Sequence, residues 1–189
     1  MRQAIGVALA YLLWHQPRVP VADYERSLLR FHEALAQSPV EGLLGSRSFA
    51  VPTLPWLAGG GYEDWYVVSD FAALGRLNEE AVDARHKGAH DAIAGLAGAG
   101  VGGLYALVSG DAMLGHRFAA WFGKPSGMSY ADLPAAVGVR NSALPPGAVA
   151  FWQRQLVLGP APEFVMTSDR ELRLGAALVS LDVEVSRVG

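Results

Sequence analysis

The feature that most constrains the fold is an internal repeat, in which a tryptophan and an arginine recur at one common spacing. Trp14 and Trp121 lie 107 residues apart, and so do Arg47 and Arg154. Two independent positions that share one spacing indicate a duplicated unit. A chain of 189 residues can bury one large core or two small cores in contact. We therefore expect one compact unit built from two modules, at 1–111 and 112–189.

Both copies have the pattern of a strand, a proline-marked turn and a helix. In the first copy, an apolar run to Trp14 is followed by the amphipathic residues 23–38. In the second copy, the apolar run that ends at Trp121 and Phe122 is followed by a shorter helical pattern at 129–137. The repeat therefore extends to local structure.

A third landmark pairs residues 63–70 with residues 162–169, each with an acid, an aromatic residue, an apolar strand and a final Ser-Asp. The spacing here falls to 99, which places an insertion at 52–61 in the first copy. Asp70 and Asp169 stand where a side-chain oxygen can accept free amide hydrogens of a helix's first turn. We expect each to cap a second helix.

Strand, helix, strand, strand, helix, strand is the order of a ferredoxin-like module. The first half supplies it in full, with a long second helix over 71–96, a candidate break at Gly88 and a last strand at 103–109. The second half is reduced, because its second helix must shrink to about 170–176, or vanish, before a strand at 178–185.

Composition excludes several function classes. Eighteen acidic and fifteen basic residues with mixed signs provide no basic stripe, so nucleic acid is not an expected partner. Zero cysteines exclude disulfides and thiolate chemistry. The glycine-dense segment 98–103 leads into a strand, so it is interpreted as a flexible connector and not as a dinucleotide-binding loop. Phosphate loops, nucleophile elbows and zinc-protease motifs are not present.

Two apolar stretches resemble segments that enter or cross membranes. The run 4–14 resembles the start of an export signal, but it is too short before its cleavage-like triplet and fits a buried strand better. The uncharged stretch 92–108 is interrupted by glycines where a membrane helix would be continuous. We expect a cytoplasmic protein without a membrane partner.

Two such modules in one chain, with Trp14 and Trp121 near the ends of their first strands, resemble the dimeric α/β-barrel superfamily. This group includes antibiotic-biosynthesis-monooxygenase-type, NIPSNAP-like and chlorite-dismutase-like haem proteins. The resemblance covers nearly the whole chain in topology, and no catalytic signature of the group matches residue by residue. It implies an α+β fold of two fused ferredoxin-like modules, whose antiparallel sheets pack as a pseudo-dimeric α/β barrel. It also implies a ligand pocket between a sheet and its helices.

Alternation along the first strand places His15 on one face and Trp14 on the other, without deciding which face meets the helices. Polar and aromatic residues that interrupt a helix-covered face are candidate pocket residues. His32, on the first helix among leucines, is interpreted as a core-edge histidine. The catalytic candidates are His15, Arg47, Tyr66 and His86, and the ligand-binding candidates are Trp14, Trp56 and Trp65.

The spacing of His86 and His90 allows two interpretations. On an unbroken helix both imidazoles share one face, and Glu79 or Asp83 would complete a divalent metal site. If Gly88 separates two helices, the spacing has no meaning and the segment is a solvated, capped junction.

Arg47 and Arg154, being repeated, are expected to have a structural role. They would pair across their hairpins with Glu63 or Asp64, and with Glu163 in the copy. An anion-binding role for Arg47 alone is the alternative.

Two functions follow. The first is a small-molecule-binding, cofactor-free monooxygenase-like enzyme, which acts on an apolar aromatic compound and uses His15 or His86 as base, with Arg47 or Tyr66 polarising an oxygen. The second is a non-catalytic ligand-binding or assembly module that self-associates through sheet edges. Haem or a divalent metal is a less favoured cofactor, since the second half has only His116 as a histidine ligand.

Overall fold

The computed structural model describes residues 7–112, 115–141, 143–155, 159–175 and 178–189. The start of the predicted first strand, the apolar residues 156–158 and the end of the predicted helix at 170–176 lie outside this part. The described strands and helices, in chain order, are β1 (Leu9–Pro17), α1 (Val21–Gln37), β2 (Leu43–Val51), β3 (Gly61–Val68), α2 (Phe71–Val82), α3 (Lys87–Ala94), β4 (Ala97–Gly110), β5 (Phe118–Phe122), α4 (Leu133–Ala136), β6 (Ala148–Arg154), β7 (Phe164–Ser168), β8 (Ser180–Glu184) and β9 (Ser186–Arg187).

The nine described strands form one sheet in the order β8-β5-β7-β6-β4-β1-β3-β2-β9. The runs β4-β1-β3-β2 and β8-β5-β7-β6 repeat one ferredoxin-like arrangement, and β4 pairs with β6 to join them. β8 and β9 are consecutive in the chain, yet β8 pairs with β5 and β9 pairs with β2. The sheet therefore closes on itself. The predicted fold of two fused ferredoxin-like modules in an α/β barrel is confirmed.

The alternation along β1 separates two cores. Ala10, Leu12 and Trp14 point into the barrel, where four buried tryptophans from both modules meet: Trp14, Trp65, Trp121 and Trp152. Trp14 and Trp121 pack edge to face with ring centroids 5.4 Å apart. The opposite face, with Leu9 and His15, is the one that the helices of the first module cover. Both faces are apolar, which is why the sequence left their orientation open.

The glycines of β4 are part of the sheet. Gly103 pairs with Leu12, and Gly102 pairs with Leu13. A Cβ atom at Gly103 would lie 2.8 Å from the Tyr105 ring and 3.5 Å from the Trp14 ring. The prediction of a flexible connector at 98–103 is therefore wrong, because these glycines make room for aromatic rings across the strand.

The predicted long helix of the first module is two helices, α2 and α3. The break lies at residues 83–86, before Gly88, and His86 opens α3. Asp70 caps α2 as predicted, since its Oδ1 accepts a hydrogen bond from the backbone amide of Ala73 at 2.8 Å.

The second module is reduced, as the sequence predicts. Its first helix is shorter than predicted and contracts to α4. Residues 169–175 form no helix, which agrees with the alternative that the second helix vanishes, and the prediction that Asp169 caps one is wrong. The face that helices cover in the first module is filled here by three stacked rings, Phe122, Phe151 and Phe164. Side chains occupy the space where a ligand pocket would otherwise lie.

The repeated arginines are not structurally equivalent. In each module, the first tryptophan lies opposite one residue on each of the next two strands of the sheet: Trp14, Glu63 and Phe49 in the first, and Trp121, Val165 and Trp152 in the second. Arg47 lies two residues before Phe49 in β2, whereas Arg154 lies two residues after Trp152 in β6. Among the described residues neither arginine pairs with a carboxylate, so the predicted ion pairs are wrong. Arg154 instead donates to the carbonyl oxygens of Gly159 and Ala161.

Candidate functional site

A pocket of about 690 Å³ lies between the first-module sheet and its helices. β1 and β3 form its floor, and α2 forms most of its wall. Its lining is mostly apolar: Tyr11, Leu13, Phe31, Tyr66, Phe71, Leu74, Gly75, Leu77, Asn78, Ala81, Val82 and His90. We call this space the first pocket. Tyr11 and Phe71 are 37% and 54% exposed, so apolar surface is available to a ligand.

A buried carboxylate lies beside this pocket, on the same face of the sheet as the pocket floor. Asp64 Oδ2 accepts a hydrogen bond from the Tyr66 hydroxyl at 3.0 Å. The same oxygen lies 3.0 Å from His15 Nε2, and Asp64 Oδ1 lies 3.7 Å from His32 Nε2. The Nδ1 atoms of His15 and His32 are hydrogen-bonded to the hydroxyls of Tyr24 and Ser46. Asp64 is thus the centre of a network that reaches the pocket through Tyr66.

The strand register explains why these groups meet. β3 pairs with β1 so that Tyr62, Asp64 and Tyr66 lie opposite His15, Leu13 and Tyr11. Residues at every second position share a face, so all of these side chains point toward the helices. α1 contributes Tyr24 and His32 from above.

Asp64 is ionised in this environment. Burial alone would raise its pKa, but polar contacts with His15 and His32 and the charges of these histidines outweigh burial and hold the pKa below its usual range. Burial and the nearby Asp64 charge raise the pKa of Tyr66 well above its ordinary value. The phenol of Tyr66 is therefore protonated and donates to the carboxylate.

The structure brings together two of the predicted catalytic residues and separates the others. His15 and Tyr66 both contact Asp64. Arg47 lies at a different opening beside Arg187. His86 is buried at the start of α3, where its Nε2 is 2.9 Å from the Ser38 carbonyl oxygen. Neither Arg47 nor His86 lines the first pocket.

The predicted ligand-binding tryptophans lie on the other side of the sheet. Trp14 and Trp65 point into the barrel, and Trp56 packs against Trp14 with ring centroids 5.6 Å apart. Each indole nitrogen of Trp14 and Trp65 donates to the carboxylate of Glu63, at 2.6 Å and 2.5 Å. Burial raises the pKa of Glu63 to about 7, although both indole hydrogen bonds act in the opposite direction.

The residues that sequence reasoning missed are Asp64, Tyr24, Tyr11 and the pocket role of His90. His32, predicted to be a core-edge histidine, lies beside Asp64. A signal was present, because Tyr-Glu-Asp-Trp-Tyr in an otherwise apolar strand places one acid on each face.

The metal hypothesis for His86 and His90 finds no support in the geometry. His90 lies edge-on to Phe31 at 5.8 Å, while His86 is engaged with Ser38. Within the described ranges, no group of three or more histidine, aspartate or glutamate side chains is arranged to hold a metal ion.

Haem does not fit the second module. His116 is its only histidine. Its ring packs in the barrel core, with its centroid 4.5 Å from that of Phe49 and 5.3 Å from that of Trp65. Burial and the Arg47 charge lower the pKa of His116 to about 4. The helix-covered face of that module holds phenylalanine rings instead.

No helix among the described residues is long and apolar enough to cross a membrane.

The fold of the chain is similar to those of several solved structures. No family model and no curated relative matches the sequence. A candidate monooxygenase from Fusobacterium nucleatum superposes with a TM-score of 0.66 at 9% identity, over 97% of this chain and 94% of that chain. A candidate monooxygenase from Lactobacillus acidophilus superposes with a TM-score of 0.55 at 8% identity, over 97% of this chain and 95% of that chain. A candidate chlorite dismutase superposes with a TM-score of 0.54 at 10% identity, over 96% of this chain and 95% of that chain. The chain therefore has the fold of the dimeric α/β-barrel superfamily, with both ferredoxin-like modules in one polypeptide.

Proposed function

We propose that the chain binds a small, planar, apolar aromatic compound in the first pocket and oxidises it as a monooxygenase-like enzyme. The observation that carries this proposal is the ionised, buried Asp64, which acts through the Tyr66 hydroxyl at the floor of an apolar pocket. The fold shared with candidate monooxygenases agrees with it. An active site of this kind is apolar, with a few convergent polar groups.

The lining favours flat rings. Tyr11 and Tyr66 stack on each other with centroids 6.2 Å apart at the floor. Leu74 and Leu77 of α2 face them, and Gly75 leaves space between the helix and the sheet. Three fused aromatic rings would bury their faces against these side chains.

The network can remove a proton from a bound substrate. Tyr66 takes the substrate proton on its oxygen as its own proton passes to Asp64 Oδ2. The same oxygen faces His15 Nε2, a buried atom without a hydrogen-bond partner. Asp64 holds that proton, and the contacts of its oxygens with His15 and His32 position the carboxylate that receives it. Asp64 is then the base, and Tyr66 contacts the substrate.

The resulting carbanion or enolate is electron-rich and reduces dioxygen directly. For a substrate with an activated methylene group, the methylene becomes a carbonyl. One oxygen atom of dioxygen enters that carbonyl, and the other leaves as water with the two methylene hydrogens. Anthrone is a suitable probe, because it is planar, apolar and carries one such methylene.

We expect Tyr66→Phe to lower kcat/KM for anthrone oxidation by about 100-fold, because the relay loses its first member. Oxygen uptake measures the rate, and isotope-labelled dioxygen followed by mass spectrometry shows whether its oxygen enters the product. Tyr130→Phe is the matched control, since Tyr130 is an exposed tyrosine of the second module. An equal rate in Tyr66→Phe would refute the relay. If the wild type binds anthrone without turnover, the non-catalytic ligand-binding module is the correct function.

We expect Gly75→Leu to weaken aromatic ligand binding at least about tenfold, because the new side chain would occupy the first pocket. A Cβ at Gly75 meets no heavy atom within 4 Å, so the helix tolerates the change. Gly88→Leu is the control: it is also in a helix with open space at its Cβ, and it lies outside the pocket lining. Quenching of protein fluorescence by 1-naphthol measures both affinities. Equal weakening in the two variants would place the ligand elsewhere.

Self-association through sheet edges remains a prediction, which size-exclusion chromatography with light scattering would test.

A further inference from the structure

The Tyr66 ring lies between two other flat rings on the helix-covered face of the sheet. Tyr11, its cross-strand partner on β1, stacks on it with ring centroids 6.2 Å apart and an interplanar angle of 30°. The His32 imidazole stacks on it with centroids 5.4 Å apart and an angle of only 9°. Tyr11 is exposed and lines the first pocket, whereas His32 is largely buried and does not line it. The buried ring against which Tyr66 packs is therefore the imidazole.

The position of this imidazole is set by β2. Its Nδ1 is hydrogen-bonded to the Ser46 hydroxyl at 2.9 Å, and Ser46 is the cross-strand partner of Tyr66 on β2. His32 belongs to α1, so this hydrogen bond ties the helix to the strand beside β3. It also fixes the imidazole beside the Tyr66 ring, in the offset parallel arrangement that stacked aromatic pairs favour.

The Tyr66 hydroxyl reaches Asp64 because the ring leans along its strand. Asp64 and Tyr66 are two residues apart on one face of β3, so their Cα atoms are separated by about 6.5 Å. The hydrogen bond of 3.0 Å between the hydroxyl and Asp64 Oδ2 therefore depends on the tilt of the ring. A ligand in the first pocket would contact the ring from the side of Tyr11, and His32 supports the ring from the other side.

His15 provides a matched contrast. Its Nε2 also lies beside Asp64, at 3.0 Å, and its ring stacks on Tyr62 with centroids 5.9 Å apart at an angle of 17°. Tyr62 donates its hydroxyl to Glu25 at 2.9 Å and does not line the first pocket. Both histidines thus contact Asp64, but only His32 supports the tyrosine of the pocket.

We propose that His32 is a positioning residue for the oxidation, whose imidazole holds the Tyr66 ring so that the hydroxyl stays on Asp64 while a substrate lies in the first pocket. The role rests on the proposed function, because the hydroxyl acts on a bound aromatic compound. The flat ring of His32 acts on Tyr66, whereas its nitrogen atoms act on Ser46 and Asp64. Variants that keep or remove a ring at this position therefore separate the two roles.

The first test compares phenylalanine with leucine at position 32. His32→Phe and His32→Leu both remove the nitrogen atoms, but only phenylalanine keeps a flat ring to stack on Tyr66. We expect kcat for anthrone oxidation to be at least about fivefold lower in His32→Leu than in His32→Phe, with a similar KM in the two variants. His15→Phe and His15→Leu should differ from each other by less than about twofold, since the ring at that position stacks on Tyr62.

The rate at which the Tyr66 ring flips gives a readout that does not depend on turnover. Nuclear magnetic resonance of protein with isotope-labelled tyrosine rings measures this rate, and Tyr66→Phe identifies the signals. We expect the flip rate to be at least about tenfold higher in His32→Leu than in His32→Phe, because the ring loses its buried stacking partner. If His32→Leu does not fold, Ser46→Ala replaces it: this variant removes only the hydroxyl that holds the imidazole, and its Tyr66 ring should flip faster than in the wild type.

Failure of the proposed function and failure of the positioning role give different results. A wild type that does not oxidise anthrone refutes the proposed function, and the flip rates still decide whether His32 holds Tyr66. Equal flip rates in His32→Leu and His32→Phe overturn the positioning role, and so does an equal kcat in these two variants when the wild type is active. A gap between the two His15 variants as large as that between the His32 variants also overturns it, because the effect would then belong to any buried ring beside Asp64.

Discussion

Replacing Asp64 with alanine is expected to lower the free energy of unfolding by about 3–5 kcal/mol, because it removes the central partner of a buried charged network. The carboxylate side chain is 3% exposed and contacts His15 and His32. Without it, two buried imidazoles lose their counter-ion and the Tyr66 hydroxyl loses its acceptor. Urea unfolding at neutral pH, followed by tryptophan fluorescence, measures the loss.

Two matched variants separate the possible causes. Asp64→Asn keeps the volume and an acceptor for Tyr66 but removes the charge, so its loss should lie between that of alanine and that of the wild type. Asp70→Ala removes a partly exposed aspartate that caps α2 and accepts a hydrogen bond from the Ser69 hydroxyl, and it should cost about 1 kcal/mol. A loss in Asp64→Ala as small as that in Asp70→Ala would show that the network does not stabilise the fold.

Glu63 is expected to make the protein less stable as the pH rises from about 5 to 8. Its pKa in the folded state is about 7, against an ordinary value of 4.5. A carboxyl group with a raised folded pKa binds its proton more tightly in the folded state, so the stabilisation is complete below the unfolded pKa and is lost as the pH rises through the folded one. A shift of this size corresponds to about 3 kcal/mol.

The measurement compares the pH dependence of unfolding in the wild type and in Glu63→Gln, since the contributions of all other ionisable groups are common to both proteins and cancel in the difference. We expect a smaller decline in stability between pH 5 and 8 in the glutamine variant. The Asp64 pKa is lowered, so its contribution is present above its ordinary value of 3.8 and disappears only in acid. Parallel profiles for the two proteins would show that Glu63 does not titrate in this window.

The order of the strands and helices could be predicted from the sequence more accurately than the pairing registers of the strands. The strand–helix succession of the first module and the Asp70 cap follow from local chemistry, and both are observed. The spacing shared by Arg47 and Arg154 does not reflect equivalent positions, because β2 and β6 pair in different registers relative to the first tryptophan of their modules. Register depends on contacts between distant segments, which a single sequence does not contain.

The candidate site could be predicted only in part, because it too depends on contacts between distant segments. His15 and Tyr66 were named because polar and aromatic residues interrupt apolar strands. Asp64 was interpreted as a hairpin partner of an arginine, since its neighbour Glu63 looked equivalent. Alternation already places these adjacent acids on opposite faces. Only the structure shows that one lies among indoles and the other among imidazoles. Burial acts to raise the pKa of both carboxyl groups, and the histidines beside Asp64 reverse the direction of the shift there.

The phenylalanine stack of the second module has an evolutionary consequence. In a homodimer of single modules, any substitution appears in both subunits, so a change that packs one site shut also destroys the other. Fusion of two modules into one chain removes this symmetry, and the copies can diverge. Phe122, Phe151 and Phe164 then serve as a solid support, while the first module keeps its space and its ionisable groups. The two halves of such a chain are then under different constraints, one on packing and the other on open space.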